Sequence, residues 1–577
     1  MTSKEKMTMT AAEPKTVQPG KPFDNGKRNR KRYGTLAVLA VLCWYFCLHT
    51  TPLQISTLTT GITEPFKPDG TLDYFGAYEK QRAYKFSPPE ENGMRDVIAA
   101  LGPAVLEQAA LIAEYTWDEI VSGKPQQDRG GSYNWYEQYY KPLCTAMYID
   151  PEAEPKYLKS PAWESVIQKL HKGDKEWNDE KQKELREKLA TAPWKSADQP
   201  ETAAWLKERS PVLDLVSKTV RKPHYVEWQR REDWMCWILL PAAQAQRTFA
   251  RELRIRIMER VGRGDIDGAF DDAMSILHLA KHLKRAEFCV TKLVGLSCDD
   301  LAVESVKVIL EQGKPSAEQL AKFAAGLESL PGHWCLEVFD AVFESVVEYE
   351  CLYRLSQASG WQGIMQMREF AKFCDERNGF VDFRMFIFAL PIDMNIAGKR
   401  MHDYIGEYWR ELRVCSSPAA LLAASKKYSE KVEKMTGDFE KNRSQWLLLP
   451  LVSYRSRLAG DLAANLLIPA LDSVNNTIVR SGTRLDLMRT AVALERYKTD
   501  SGKYPDNLDA LVPQYLDEVP PDGFTGRKTI TYKPAAGDKS AADKFILYSF
   551  GANGVDDNGI AGTPKNPKDR NHGDTVW

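Results

Sequence analysis

Near the end of the chain, Asn553, Asp556, Asp557 and Asn558 alternate with Gly551, Gly554 and Gly559, and Asp569 and Asp574 follow. Carboxylate and amide oxygens on a glycine-rich loop are the ligand types of calcium, which takes six to eight oxygens at about 2.3–2.6 Å. The same composition also makes a surface loop satisfied by its own backbone, and the spacing does not separate the two. The other candidates are poorer. His278 and His282 stand one helical turn apart, as in zinc proteases, but Leu279 replaces the glutamate that would act as base and no third ligand follows. Asp265-Ile-Asp-Gly268 has its glycine two positions too early for an EF-hand and lacks the last glutamate, so helix capping accounts for it better. Tyr133-Asn-Trp-Tyr-Glu-Gln-Tyr-Tyr140 offers rings for stacking on sugars or peptides, or for a core, as do Trp228, Trp234 and Trp237. No glycine-rich phosphate loop and no Gly-x-Ser-x-Gly elbow occurs.

The acidic loop needs elements to hold it. Leu485, Leu487, Met488, Ala491, Val492 and Leu494 recur at helical spacing, and Asp500-Ser-Gly502 supplies residues that end a helix. Tyr504-Pro505 turns the chain, 508–512 has the length of one helical turn, and 529–532 and 544–549 read as strands separated by a polar loop at 535–540. A helix packed on a small antiparallel sheet follows. Together, Gly502-Lys-Tyr-Pro505 after the helix and Ser549-Phe-Gly-Ala-Asn-Gly554 after the second strand resemble the soluble part of the major pseudopilin of type II secretion. That family has a helix ending before a Gly-x-Tyr-Pro turn, a small sheet, and a late Ser-x-Gly-Ala-Asp-Gly loop that binds calcium. The resemblance implies that Asn553 is the counterpart of the first acidic ligand, with Asp556, Asp557 and Asp574 as further ligands. Asn553 departs from the pattern by bringing no charge, and the interval from Asp557 to Asp574 is longer than the family's.

At the other end, residues 1–33 are polar, proline-bearing and close on the basic cluster Lys27-Arg-Asn-Arg-Lys-Arg32, which marks a disordered tail. Residues 34–53 are a low-charge, largely apolar run of the roughly 20 residues that a helix needs to cross a bilayer. The basic cluster places the tail in the cytoplasm. A cleaved signal peptide is disfavoured by the long tail and by Trp44, Tyr45 and Phe46 where small residues belong, and Val41-Leu42 before Cys43 does not suit a lipoprotein. A true pseudopilin starts with a Phe-Thr-Leu-Ile-Glu anchor continuous with its helix. Here about four hundred residues intervene.

Lys plus Arg total 78 against 79 Asp plus Glu, so the summed charge gives no case for nucleic acid. Outside the anchor, Cys144, Cys236, Cys289, Cys298, Cys335, Cys351, Cys374 and Cys415 form no Cys-x-x-Cys pair. Residues 54–93 read as a tether rich in Thr, Pro and Gly, and helical patterning begins near Met94. Helices are expected at 242–261, then after a Gly-Asp turn that Asp265 or Asp267 caps, and at 287–311, 316–330, 334–357 and 419–440. The first pair is similar to one tetratricopeptide-like unit, but no fixed repeat period appears. The expected fold is mainly α: a large irregular helical domain over 94–459, then a small α+β pseudopilin-like domain over 460–577. Trp205, Arg221-Lys-Pro223, Leu239-Leu-Pro241, the Gly264-Asp-Ile-Asp-Gly268 turn, Leu466-Leu-Ile-Pro-Ala-Leu471 and the pseudopilin-like end, in that order, resemble large envelope proteins of planctomycete-type bacteria. The expected function is a non-enzymatic, single-pass protein of the cytoplasmic membrane, with its bulk in the periplasm, that contacts other envelope proteins and holds calcium at Asn553, Asp556, Asp557 and Asp574. The alternatives are an envelope hydrolase acting on glycan or peptide, and a component associated with type II secretion.

Overall fold

Capping residues, prolines and glycines cut most of the chain into helices. The computed structural model describes residues 36–43, 51–82, 88–106, 140–157, 179–226, 241–286, 288–330, 392–441, 451–526, 529–534, 545–560 and 573–577, with 160, 163, 229, 349, 350, 353 and 354. The tail at 1–33, the aromatics at 133–139, Trp228, Trp234, Trp237, most of the helix expected at 334–357, the 535–540 loop and Asp569 lie outside the described residues. The helices are α1 (Tyr74–Arg82), α2 (Gly93–Leu101), α3 (Lys141–Ala146), α4 (Asp179–Thr191), α5 (Pro200–Thr219), α6 (Pro241–Arg263), α7 (Ile266–Lys284), α8 (Cys289–Val308), α9 (Ala317–Glu328), α10 (Met394–Arg413), α11 (Pro418–Lys441) and α12 (Val452–Ser501). Among the described residues the protein is mainly helical, with a small antiparallel sheet.

Local chemistry explains the helix ends. The Asp265 carboxylate accepts the Gly268 N–H at 3.1 Å and caps α7, as expected of the Gly-Asp turn. Ser316 and Gln319 form a reciprocal capping box at the start of α9. Gly502, at φ 78, ends α12 in the left-handed conformation. The helix α10 was not expected, although Met401, Ile405, Tyr408 and Leu412 recur at helical spacing and are buried.

The long helix α12 organises the described chain. It has 50 residues, so its path is about 75 Å at 1.5 Å per residue. Leu458, Ala459 and Leu462 pack with residues of α1 and α10, and Ala464, Ile468, Leu471, Ile478 and Val479 pack with α10 and α11. Further on, Leu485, Met488 and Val492 close the large core formed mainly by α2 and α5 to α9. Leu487, Ala491 and Leu494 meet Leu508, Leu511, Ile530 and Leu547 beside the sheet. At about 100° per residue, these last two stripes centre roughly 130° apart around the helix and therefore face different neighbours. The six residues that recur at helical spacing thus serve two different cores.

The expected tether is packed against the body at Thr59, Thr60 and from Leu72 to Tyr78. Leu72, Tyr74, Phe75 and Tyr78 are core residues, and the Tyr74 hydroxyl donates to the Thr60 carbonyl at 2.7 Å. Large apolar side chains in 54–93 give it a core, which its Thr, Pro and Gly content concealed.

In the sheet, β1 (Thr531–Pro534) pairs antiparallel with β2 (Phe545–Ser549), which pairs antiparallel with β3 (Thr575–Val576). The register sets Tyr532 opposite Leu547 and Ser549 opposite Thr575. β3, only two residues long, was not expected. No helix among the described residues is long and apolar enough to cross a membrane. The described part of the 34–53 segment includes a helical piece at 36–43, where Leu36, Val38, Leu39, Val41 and Leu42 are all exposed.

Candidate functional site

The loop after β2 gathers all four residues expected to bind metal. Gly551, at φ 68, turns the chain out of the strand and lies so close to the Gly573 carbonyl that a Cβ would not fit. That approach brings Asp574, 4% exposed, beneath the loop. Its Oδ1 accepts the Asp557 N–H at 3.2 Å and its Oδ2 the Gly559 N–H at 2.6 Å. Burial pushes its pKa up, helped by the charges of Asp557 and Asp556, and the two N–H groups oppose this without reversing it.

The other three are joined by similar bonds. Asn553 Nδ2 donates to Asp557 Oδ2 at 2.9 Å, and Asn553 Oδ1 accepts the Val555 N–H at 3.1 Å. Asp556 Oδ1 accepts from both the Tyr548 hydroxyl and the Asn558 N–H at 2.9 Å. From β1, the Lys533 ammonium donates to Asn558 Oδ1 at 3.2 Å and lies 5.1 Å from the centre of the Tyr548 ring. A hydrogen bond with Tyr548 raises the lysine pKa most, and Asp556 and Asp574 add to it.

This donor set suits calcium in kind, with three carboxylates and an amide oxygen on one loop. Its hydrogen bonds occupy lone pairs that a metal would use. Among the described residues, no group of three or more His, Cys, Asp or Glu side chains is placed to hold a metal. Calcium at Asn553, Asp556, Asp557 and Asp574 would have to take the place of some of these bonds. Sequence reasoning missed Lys533 and Tyr548 at this site. It also missed Asp522, 1% exposed, which accepts the N–H groups of Phe524, Thr525 and Phe550 and so ties the turn before β1 to the end of β2.

The two histidines do not make a metal pair. His282 Nε2 lies 2.9 Å from the Val220 carbonyl, to which it can only donate, and the ring stacks on Tyr225. His278 instead lines a cleft of about 270 Å³ with Arg221, Asp271, Lys322 and the stacked Phe270 and Phe323. Burial lowers both imidazole pKa values to about 4, so both rings are neutral at pH 7.

A second cleft, about 510 Å³, lies between α5 and α6 and has Lys207, Arg256, Arg260 and Arg263 on its walls. Three of these cations are already answered. Arg256 donates to Asp272 through Nε at 2.8 Å and Nη2 at 2.6 Å, and through Nη1 to Asp214 at 2.7 Å. Arg260 reaches Asp272 at 3.2 Å, and Arg263 pairs with Asp265 at 2.6 Å. Burial pushes the Asp272 pKa up, and the facing Arg256 and Arg260 oppose it. This chemistry joins helices. Buried Cys144 and Cys298 have thiol pKa values raised chiefly by burial, which leaves them unreactive.

No protein-family model matches this chain, and no curated protein and no solved structure matches it at a significant level.

Proposed function

We propose that the protein is a membrane-anchored interaction scaffold of a bacterial cell envelope, facing the periplasm. In this proposal 34–53 is the anchor, 94–459 a helical domain that contacts other envelope proteins, and 460–577 a pseudopilin-like module. The observation that carries it is the placing of α12, which lends one side to the helical body and the other to the sheet. A pilin-type helix assembles by packing against its copies, and here both stripes of the helix are already covered. The module is therefore a fixed part of the scaffold. The exposed apolar helix at 36–43 supports the anchor, because a contiguous exposed apolar surface marks a membrane or protein partner.

Calcium at Asn553, Asp556, Asp557 and Asp574 belongs to the same proposal and rests on the pseudopilin resemblance and on the oxygens of the loop. It would stabilise the loop that holds β3 to β2. Thermal melting of the full chain in detergent, with calcium and with chelator, tests it. Saturable stabilisation is expected, and an unchanged melting temperature would reduce the loop to a hydrogen-bonded turn. The scaffold itself is tested by copurification from membranes after crosslinking. Envelope proteins are the expected captures, and recovery of the chain alone would count against a scaffold. A set of secretion components among the captures would favour the secretion-associated alternative. The hydrolase alternative would use a cleft in the helical domain near the 133–140 aromatics, of which 133–139 lie outside the described residues.

A further inference from the structure

The chain leaving the proposed anchor is fastened to the body at once. The Thr51 N–H and hydroxyl donate to Asp393 Oδ2 at 3.2 and 2.5 Å, and the Gln54 N–H donates to Asn395 Oδ1 at 2.7 Å. Asn395 Nδ2 returns bonds to Thr51 Oγ1 and the Pro52 carbonyl, each at 3.0 Å. Asp393 caps α10, and its own N–H donates to Ser456 Oγ near the start of α12 at 2.8 Å. The end of the 34–53 segment and the starts of α10 and α12 thus meet at one junction.

Beyond it, residues 56–60 form a turn held by the Thr59 and Thr60 N–H groups on the Ser56 carbonyl. The turn lies flat on α10: a Cβ on Gly398 would come within 2.6 Å of the Thr59 carbonyl oxygen. Thr60 is fully buried, yet Ile55 and Leu58 are 40% and 43% exposed. The chain has no Asp, Glu, Lys or Arg from Tyr33 to Thr63. A bilayer adds roughly 5–8 Å of polar interface on each side of its hydrocarbon core. Residues 54–63, next after the proposed anchor and hydrogen-bonded to the body, would lie in that layer, where a charge-free stretch with apolar tips is favourable.

We propose that this end of the body is a lipid-facing surface: the 55–58 turn rests in the outer interface of the bilayer and seats the scaffold against it. The proposal rests on the membrane anchor proposed above. It deepens that function by naming the bilayer as the partner of a surface beyond the spanning segment. It also gives α12 a direction. Its first turn lies at the membrane junction, and its last turns carry the sheet and the acidic loop, up to about 75 Å of helix path away.

The test uses the full chain in phosphatidylethanolamine and phosphatidylglycerol nanodiscs. A photoreactive p-benzoylphenylalanine replaces Ile55, Leu58 or, as the distal control, Val555, and adducts are read by mass spectrometry. Lipid adducts at Ile55 and Leu58 but not at Val555 are expected. Without the anchor, the chain would fail to float with vesicles after carbonate washing, and the proposal would fall with it. A chain that floats but gives no lipid adduct at either position, or gives adducts to protein instead, would overturn the lipid surface while leaving the anchor intact. The double variant Ile55→Ser, Leu58→Ser should still float, yet show a broader distance distribution between the bilayer and a label at Val555. An unchanged distribution would show that the turn does not seat the body.

Discussion

In the helical body, Glu252, Asp272 and Asp299 are each about 1% exposed and face Arg209, Arg256 and Lys284. In the terminal loop, Asn553 and Asp556 are exposed, and the acids are held mainly by backbone N–H groups, a tyrosine and an amide. A charge sealed in a low-dielectric core with a matched partner has no capacity left for a ligand. An acid held by neutral donors near water still can exchange them for a cation. The contrast places paired, sealed charge in the body, while the loop, apart from buried Asp574, keeps its acids near water, where the proposed calcium would have to bind.

The strongest way to break this contrast is to remove one partner from the body. Arg256→Met would leave Asp272 buried beside Arg260 alone, and loss of one partner of a buried pair costs about 3–5 kcal/mol. Urea unfolding should show a loss of that size, and one below about 1 kcal/mol would mean that Asp272 is not sealed. In the loop, Asp574→Ala frees the N–H groups of Asp557 and Gly559 and should cost about 1–3 kcal/mol. Because the loop borders β3, hydrogen exchange should quicken at 573–577 with the helices unchanged. Equal quickening throughout α6 and α7 would show that loop and body unfold as one.

These differences bear on what could be read in advance. The acidic loop, the helix before Gly502, the turn at 508–512 and two strands were legible because each uses local signals: Asx and glycine, a positive-φ cap, and β-branched or aromatic runs. The two-sided burial of α12 was not. Leu485, Met488 and Val492 alternate with Leu487, Ala491 and Leu494 closely enough to pass for one broad face, and only the body, distant in sequence, makes the second stripe necessary. The same holds for the lead-in. Thr51 and Gln54 find Asp393 and Asn395 more than three hundred positions away, a pairing that no local pattern contains. β3 escaped because two residues are too few to show alternation.

Asp486 sharpens the comparison from within α12. It is 2% exposed, and burial raises its pKa from 3.8 to about 8. The folded chain therefore keeps a proton that the unfolded chain releases between these values, so this group's stabilising contribution declines as pH rises across that window. Asp486→Asn keeps the shape of the neutral acid and removes the titration. The variant should gain on the wild type in denaturant midpoint as pH rises toward 8 and converge with it near pH 4. A difference independent of pH would mean that Asp486 is not protonated in the fold.

The smallest effect is the most direct probe of the loop. Asn553→Asp replaces the amide that donates to Asp557 with a carboxylate, so in chelator it loses one hydrogen bond, about 0.5–1.5 kcal/mol, and adds repulsion near Asp556 and Asp557. With calcium present the neutral amide ligand becomes a charged one, and the melting temperature should recover to or above that of the wild type. Recovery in calcium would show that the oxygens can converge on a cation once the Asn553–Asp557 bond is gone, making that bond the feature that sets metal affinity. The same loss in calcium and in chelator would mean that the loop is held by its hydrogen bonds alone, so that it resembles the body's sealed acids more than its exposure suggests.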